Sequence, residues 1–259
     1  MGLLKSSAIT QESWSFTLHH FSALVRLAAI PFLISLSINS LAMMSFLQEK
    51  PVHQALIDGM GALIEAFWGI RWFQYVMKGH QKNQIEPFRF GKQEGIYFFY
   101  SLVLLVPFMI DDFLFIDGIK RNYALGYILF VFAFLVICLR FEFIFVALSL
   151  QRPTGFISSW KESRQYWWAL FKSYFQTFTV LLPVGILGIL GLGILIILLW
   201  IFGLMHFEGW TMHQGWQPLL NANPLISILY VILKEGFWFW MQAFTMVIAA
   251  KYYQQALKA

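Results

Sequence analysis

Six apolar stretches, each near the length that crosses a bilayer, are separated by short polar loops whose lysines and arginines fall mainly on alternate sides. That pattern leaves few folds open. The chain is 59% hydrophobic and 12% charged, with a mean hydropathy of +0.66. A soluble fold of 259 residues cannot enclose that much apolar surface. The expected fold class is all-α: a polytopic membrane helix bundle of about six transmembrane helices, with one or two interfacial helices and both termini cytoplasmic. A single membrane domain covers 1–259, because no stretch is long and polar enough to form a separate soluble unit.

The expected spans are about 22–47, 56–77, 96–116, 123–150, 175–202 and 225–250. The second is the weakest, since it contains Asp58, Glu65 and Arg71. The third reaches only 15 apolar-dominated residues before Asp111 and Asp112, about 22 Å of helix. The loop charges favour keeping both. With six spans, eleven basic residues fall on one side, three (Lys50, Lys120, Arg121) on the other, and four (Arg26, Arg71, Arg140, Lys234) at or within spans. Dropping the second span would move the basic 151–174 loop outside, against the positive-inside rule. Trp68, Trp72, Tyr75, Trp167, Trp168, Tyr252 and Tyr253 lie near the expected cytoplasmic ends, and Trp210 and Trp216 in an outer loop. Amphipathic rings favour that headgroup level. The N-terminal 20 residues lack the apolar core of a cleavable signal. Met1-Gly2 through Ser6 fits a myristoylation pattern, but one acyl chain adds little to six spans. The net charge of +5 does not imply nucleic acid, since the basic residues flank apolar segments. The single cysteine, Cys138, excludes an intramolecular disulfide.

Two segments are expected to lie along the membrane. Residues 10–21 carry Trp14, Phe16, Leu18 and Phe21 among polar residues. In 156–171, Ser159 through Glu162 reads as a capping box that starts a helix. Trp160, Trp167, Trp168 and Phe171 would then share one face, with Lys161 and Arg164 reaching anionic lipid. Packing of this second helix against the inner rim of the bundle is compatible with that reading.

Gly185, Gly188 and Gly191 in the fifth span let a neighbouring helix approach, within the protomer or across a homo-oligomer face, and Pro183 offers a hinge. They form no dinucleotide loop, because no strand or polar turn adjoins them. Intramembrane charges are costly and need a reason. Glu65 is expected near mid-depth, while Arg71 can snorkel to the cytoplasmic face. Arg140 and Glu142 are about 200° apart around a helix and cannot pair. Arg140 is therefore the expected partner of Glu65. Glu65, Arg71, Arg140 and Glu142 mark either a ligand or ion path between the second and fourth spans or an interhelical salt bridge. Lys234 and Glu235 are expected at the outer interface, with 223–233 as a helix extension or an interfacial turn.

No catalytic motif is present: no nucleophile elbow, P-loop or His-Glu-x-x-His. His206, Glu208 and His213 match no standard zinc spacing, and Asp111, Asp112 and Asp117 read as solvated loop charges. No cofactor, metal or enzyme activity is expected.

Three stretches resemble a known group. Phe21 through Arg26 with Ile30-Pro31, Arg71 through Gly79, and Arg140 through Ala147 followed by Arg152-Pro153-Thr154-Gly155 and Ser159 through Ser163 resemble the YciC-type bacterial membrane proteins. They also resemble the related membrane region joined to some glycerophosphodiester phosphodiesterases. The sequence departs from that pattern at Ala147, where a Pro is common, and at Tyr166-Trp167-Trp168, where a Gly often stands. The resemblance implies a six-helix protein of the bacterial inner membrane and no established reaction. Two functions follow as expectations. The first is a non-enzymatic protein that binds lipid, such as anionic phospholipid, or a partner membrane protein in envelope organisation, using Trp160, Arg164, Trp167 and Trp168. The second is a small transporter or channel subunit built on the intramembrane charges, although no inverted repeat is evident.

Overall fold

The computed structural model describes residues 6–42, 51–78, 91–114, 124–201 and 224–258. Within these the chain forms eight helices and no strands. They are α1 (Ser6–His19), α2 (Phe21–Ala42), α3 (Pro51–Lys78), α4 (Lys92–Leu114), α5 (Ala124–Ser149), α6 (Phe156–Glu162), α7 (Trp167–Ile201) and α8 (Pro224–Ala256). Three carry windows long and apolar enough to cross a membrane: Phe21–Ser40 in α2, Phe132–Ser149 in α5 and Trp167–Leu195 in α7. The Asp58, Asp111 and Asp112 side chains, and the whole of Asp117, His206, Glu208, His213, Trp210 and Trp216, lie outside the described residues.

The core lies where α3 and α8 cross, and large aromatics fill it. Trp68, Trp72, Phe73, Tyr75, Phe244, Tyr252 and Tyr253 are buried. Trp68 stacks on Phe239 at 5.2 Å between centroids. The Trp72 indole N–H donates to the Ala243 carbonyl at 3.0 Å, which satisfies a polar atom that burial would otherwise leave costly. α2, α4, α5 and α7 surround this pair. On α7 the outward face is apolar, with Leu187 67% exposed to the surroundings. Such a face suits lipid and not water.

α1 packs against α7 and α8 and buries hydroxyl residues, not an apolar stripe. Ser13 donates to the Ile9 carbonyl at 2.8 Å and Thr17 to the Ser13 carbonyl at 2.9 Å. This back-bonding makes buried hydroxyls tolerable on a helix. Trp14 lies 4.1 Å from the Phe244 ring, and Glu12 pairs with Lys251. The expected surface segment is thus docked on the bundle.

The second expected surface helix is two elements. α6 ends at Glu162, residues 163–166 form a turn, and Trp167 and Trp168 open the long α7. Trp160 therefore does not share a helical face with Trp167 and Trp168. The helix start also differs. Gly155 is the N-cap residue, and its N–H is accepted by the Ser158 hydroxyl at 2.9 Å. Ser159 instead donates to the Arg140 carbonyl at 2.9 Å. The packing of α6 on α5 buries Ser159 completely, so its hydroxyl takes its acceptor there and not at the helix start.

α8 is continuous through Lys234 and Glu235, so 224–233 is a helix extension. Lys234 is exposed, whereas Glu235 is buried and accepts from the Ser35 hydroxyl at 2.6 Å.

Candidate functional site

Five helices bring polar side chains together inside the bundle. Glu65 comes from α3, Tyr97 from α4, Glu142 from α5, Tyr174 from α7 and Gln242 from α8. The Tyr97 hydroxyl donates to Glu65 Oε1 at 3.4 Å. Gln242 is a second hydrogen-bonding neighbour of Glu65. Tyr174 is a hydrogen-bonding neighbour of Glu142 and donates to the Thr245 carbonyl at 3.1 Å. The two carboxyl groups are electrostatic neighbours. Neither forms an ion pair among the described residues. The indole nitrogen of Trp68, one turn along α3 from Glu65, is buried without a partner among them.

A glycine makes this meeting possible. A β-carbon at Gly69 would lie 2.9 Å from the Tyr97 hydroxyl oxygen and 3.0 Å from Met246 Cε. Gly69 thus lets Tyr97 and α8 close on α3 beside Glu65. Tyr97, Tyr174, Gln242 and Gly69 were not legible as site residues, because an uncharged residue in an apolar stretch gives no sign of a polar cluster between helices.

A polar line leads away from the pair. Tyr174 and Tyr252 are electrostatic neighbours. The Tyr252 hydroxyl lies 3.1 Å from Ser173 Oγ and donates to the Ala169 carbonyl at 3.2 Å. Ser173 donates to the Ser6 carbonyl at 3.2 Å, at the start of α1. Burial pushes the Tyr252 hydroxyl above its ordinary range and the Ser173 hydrogen bond opposes this, so the phenol remains a neutral donor near neutral pH.

Arg140 is not the partner of Glu65. Its guanidinium turns to the α6 end, donating from Nε to Ser163 Oγ at 3.1 Å and from Nη2 to the Trp160 carbonyl. The same group lies 4.0 Å from the centroid of the Trp160 ring. Ser163 returns a bond to the Arg140 carbonyl at 2.9 Å. Arg71 does not snorkel free either. It pairs with Glu94 of α4, whose other oxygen accepts the Gly91 N–H at 2.9 Å, the N3-to-N-cap half of a capping box. Arg71 and Arg140 are structural ties, whereas Glu65 and Glu142 share a site.

The ledge formed by α6 and the start of α7 keeps exposed aromatics and cations. Trp160 and Trp168 are nearly half exposed, Lys161 and Arg164 are exposed, and Lys172 Nζ lies 5.4 Å from the Trp168 ring centroid. Of the fifth-span glycines, Gly185 meets a neighbour: a β-carbon there would lie 3.2 Å from the Phe237 ring of α8. At Gly188 and Gly191 nothing lies within 4 Å, so among the described residues they make no close helix contact. No group of three or more His, Cys, Asp or Glu side chains among the described residues is arranged to hold a metal ion.

Comparison with protein-family models, with curated proteins and with solved structures finds no match.

Proposed function

We propose that this chain is a six-span protein of the bacterial inner membrane, with YciC-type segment order and cytoplasmic termini, that moves protons or a small cation through the Glu65–Glu142 site. One observation carries the reading: two carboxyl groups from different helices are neighbours inside the bundle without a basic partner among the described residues. Two neighbouring carboxyl groups held away from water do not both stay ionised unless they take up a proton or a cation. Ionisable residues held in a bundle interior in this way mark ion and proton pathways. The tyrosine and serine hydroxyls from Tyr174 to Ser173 supply neutral groups along a route to the end where α1 begins. Reconstituted vesicles with an internal pH dye and an imposed potassium potential test this. Flux should be present in the natural chain and absent in Glu65→Gln and Glu142→Gln variants that still fold. No flux in the natural chain, or unaltered flux in both variants, overturns it.

The exposed ledge of Trp160, Lys161, Arg164, Trp168 and Lys172 favours a second reading. In it the protein is non-enzymatic and binds lipid or a partner membrane protein in envelope organisation. Aromatic rings with cations beside them suit the headgroup layer. Retention of anionic phospholipid with no flux would select this reading.

A further inference from the structure

The 150–155 connection and the first turns of α4 enclose a groove of about 520 Å³, within the range of about 300–1,000 Å³ that small-ligand sites occupy. Lys92 and Arg152 line one part, Tyr100 and Thr154 add hydroxyls, and Ile96 and Phe99 form an apolar wall. Among the described residues no carboxylate lines it. The nearest acidic residue of α4, Glu94, is buried and engaged by Arg71 and the Gly91 amide.

The local backbone holds Arg152 in place. Gln151 adopts φ 60°. Its N–H bonds the Leu148 carbonyl at 3.0 Å, and the Arg152 N–H bonds the Ala147 carbonyl at 3.1 Å. This is a Schellman closure of α5, with Pro153 following as a stop. Tyr253 is a hydrogen-bonding neighbour of Arg152 from α8. The cation is therefore positioned from both sides and remains exposed.

Along α4 the groove changes character. Lys92 is exposed at the first helical residue, while Phe99 (60% exposed) and Val103 (38% exposed) continue one face further along. Two cations and two hydroxyls at one end, and an outward apolar track at the other, match the two halves of one kind of molecule. We propose that this groove binds an anionic phospholipid, with the phosphate between Lys92 and Arg152 and an acyl chain along Phe99 and Val103. The proposal rests on the membrane reading above, since such a ligand arrives from the bilayer.

The test uses the full chain in nanodiscs of phosphatidylcholine with graded phosphatidylglycerol, with retained lipid counted by native mass spectrometry. Lys92→Gln/Arg152→Gln should lower phosphatidylglycerol retention roughly tenfold or more while phosphatidylcholine is unchanged. Lys78→Gln/Lys258→Gln, which removes the same charge elsewhere, should retain it. Phe99→Ala should weaken phosphatidylglycerol but not soluble glycerophosphate, which separates a lipid from a free phosphate ester. Equal loss in both double variants, or equal binding of glycerophosphate and lipid, overturns the proposal. A chain released from membranes by alkaline carbonate would instead overturn the membrane reading. Thermal unfolding of each variant shows that the groove still forms.

Discussion

The Arg140 guanidinium lies 4.0 Å from the centroid of the Trp160 ring and donates to the Trp160 carbonyl, joining α5 to α6 across 20 residues of chain. Arginine suits this position because a planar fork can stack on a ring and donate in its own plane at once. Lysine cannot do both.

Arg140→Lys should lower stability by about 1–2 kcal/mol, and Arg140→Leu by more, since it leaves the Trp160 carbonyl and the Ser163 hydroxyl without their donor. Thermal unfolding in mild detergent measures both. A double-mutant cycle with Trp160→Phe isolates the ring term; a coupling near zero would show that the hydrogen bonds alone hold α6.

Arg71 and Glu94 are a second buried tie, with side chains 11% and 3% exposed. Removing Glu94 takes the carboxylate from a largely buried guanidinium that keeps its hydrogen bond to Gln74 at 3.1 Å, so Glu94→Ala should cost about 1–3 kcal/mol. Arg71→Met with Glu94→Leu should recover most of that loss, because two apolar side chains need no desolvation offset. Unfolding midpoints of the single and double variants decide the point.

Gly69→Ala tests the approach of Tyr97 to Glu65. The atoms that must give way are the Met246 methyl and the phenol end of Tyr97, a rigid ring that is 1% exposed, so the fold should lose about 1–3 kcal/mol. The Tyr97–Glu65 bond should nevertheless break. The infrared carboxyl band of Glu65, identified by its disappearance in Glu65→Gln, should shift alike in Gly69→Ala and Tyr97→Phe. An unmoved band in either would mean that Tyr97 does not engage Glu65.

The three α7 glycines should behave differently. Gly185→Ala should cost about 1–2 kcal/mol through the Phe237 contact. Gly188→Ala and Gly191→Ala should stabilise by about 0.5–1 kcal/mol each, since alanine holds helix better and nothing crowds it. Thermal unfolding with size determination in detergent reads both effects. A smaller assembly in the Gly188 or Gly191 variant would place those residues against another copy of the chain.

Much of the helical framework was legible in the sequence. The described part of each expected span lies on a long helix, three of these helices carry a window long and apolar enough to cross a membrane, and Arg140 and Glu142 do not pair: Ser163 and Trp160 engage one, and Tyr174 neighbours the other. The segment before Gly236 reads equally as a helix extension or an interfacial turn, and α8 runs unbroken from Pro224. The 163–166 turn was not legible, since Trp160, Trp167 and Trp168 satisfy helical spacing whether or not the helix is broken between them. Nor was the Ser158–Gly155 cap, because Ser158 and Ser159 are adjacent and only the packing of α6 on α5 decides which one turns inward.

The sequence by itself determined an all-helical chain with apolar helices of membrane-crossing length, because apolar length and charge placement are properties of each segment alone. Only the tertiary structure decided that Glu65 meets Tyr97 and neighbours Glu142, that Arg140 serves α6, and that Lys92 and Arg152 line one groove. The physical reason is rotational. The period of a helix says which of its residues share a face, but the neighbour that face meets depends on how the other helices pack around it.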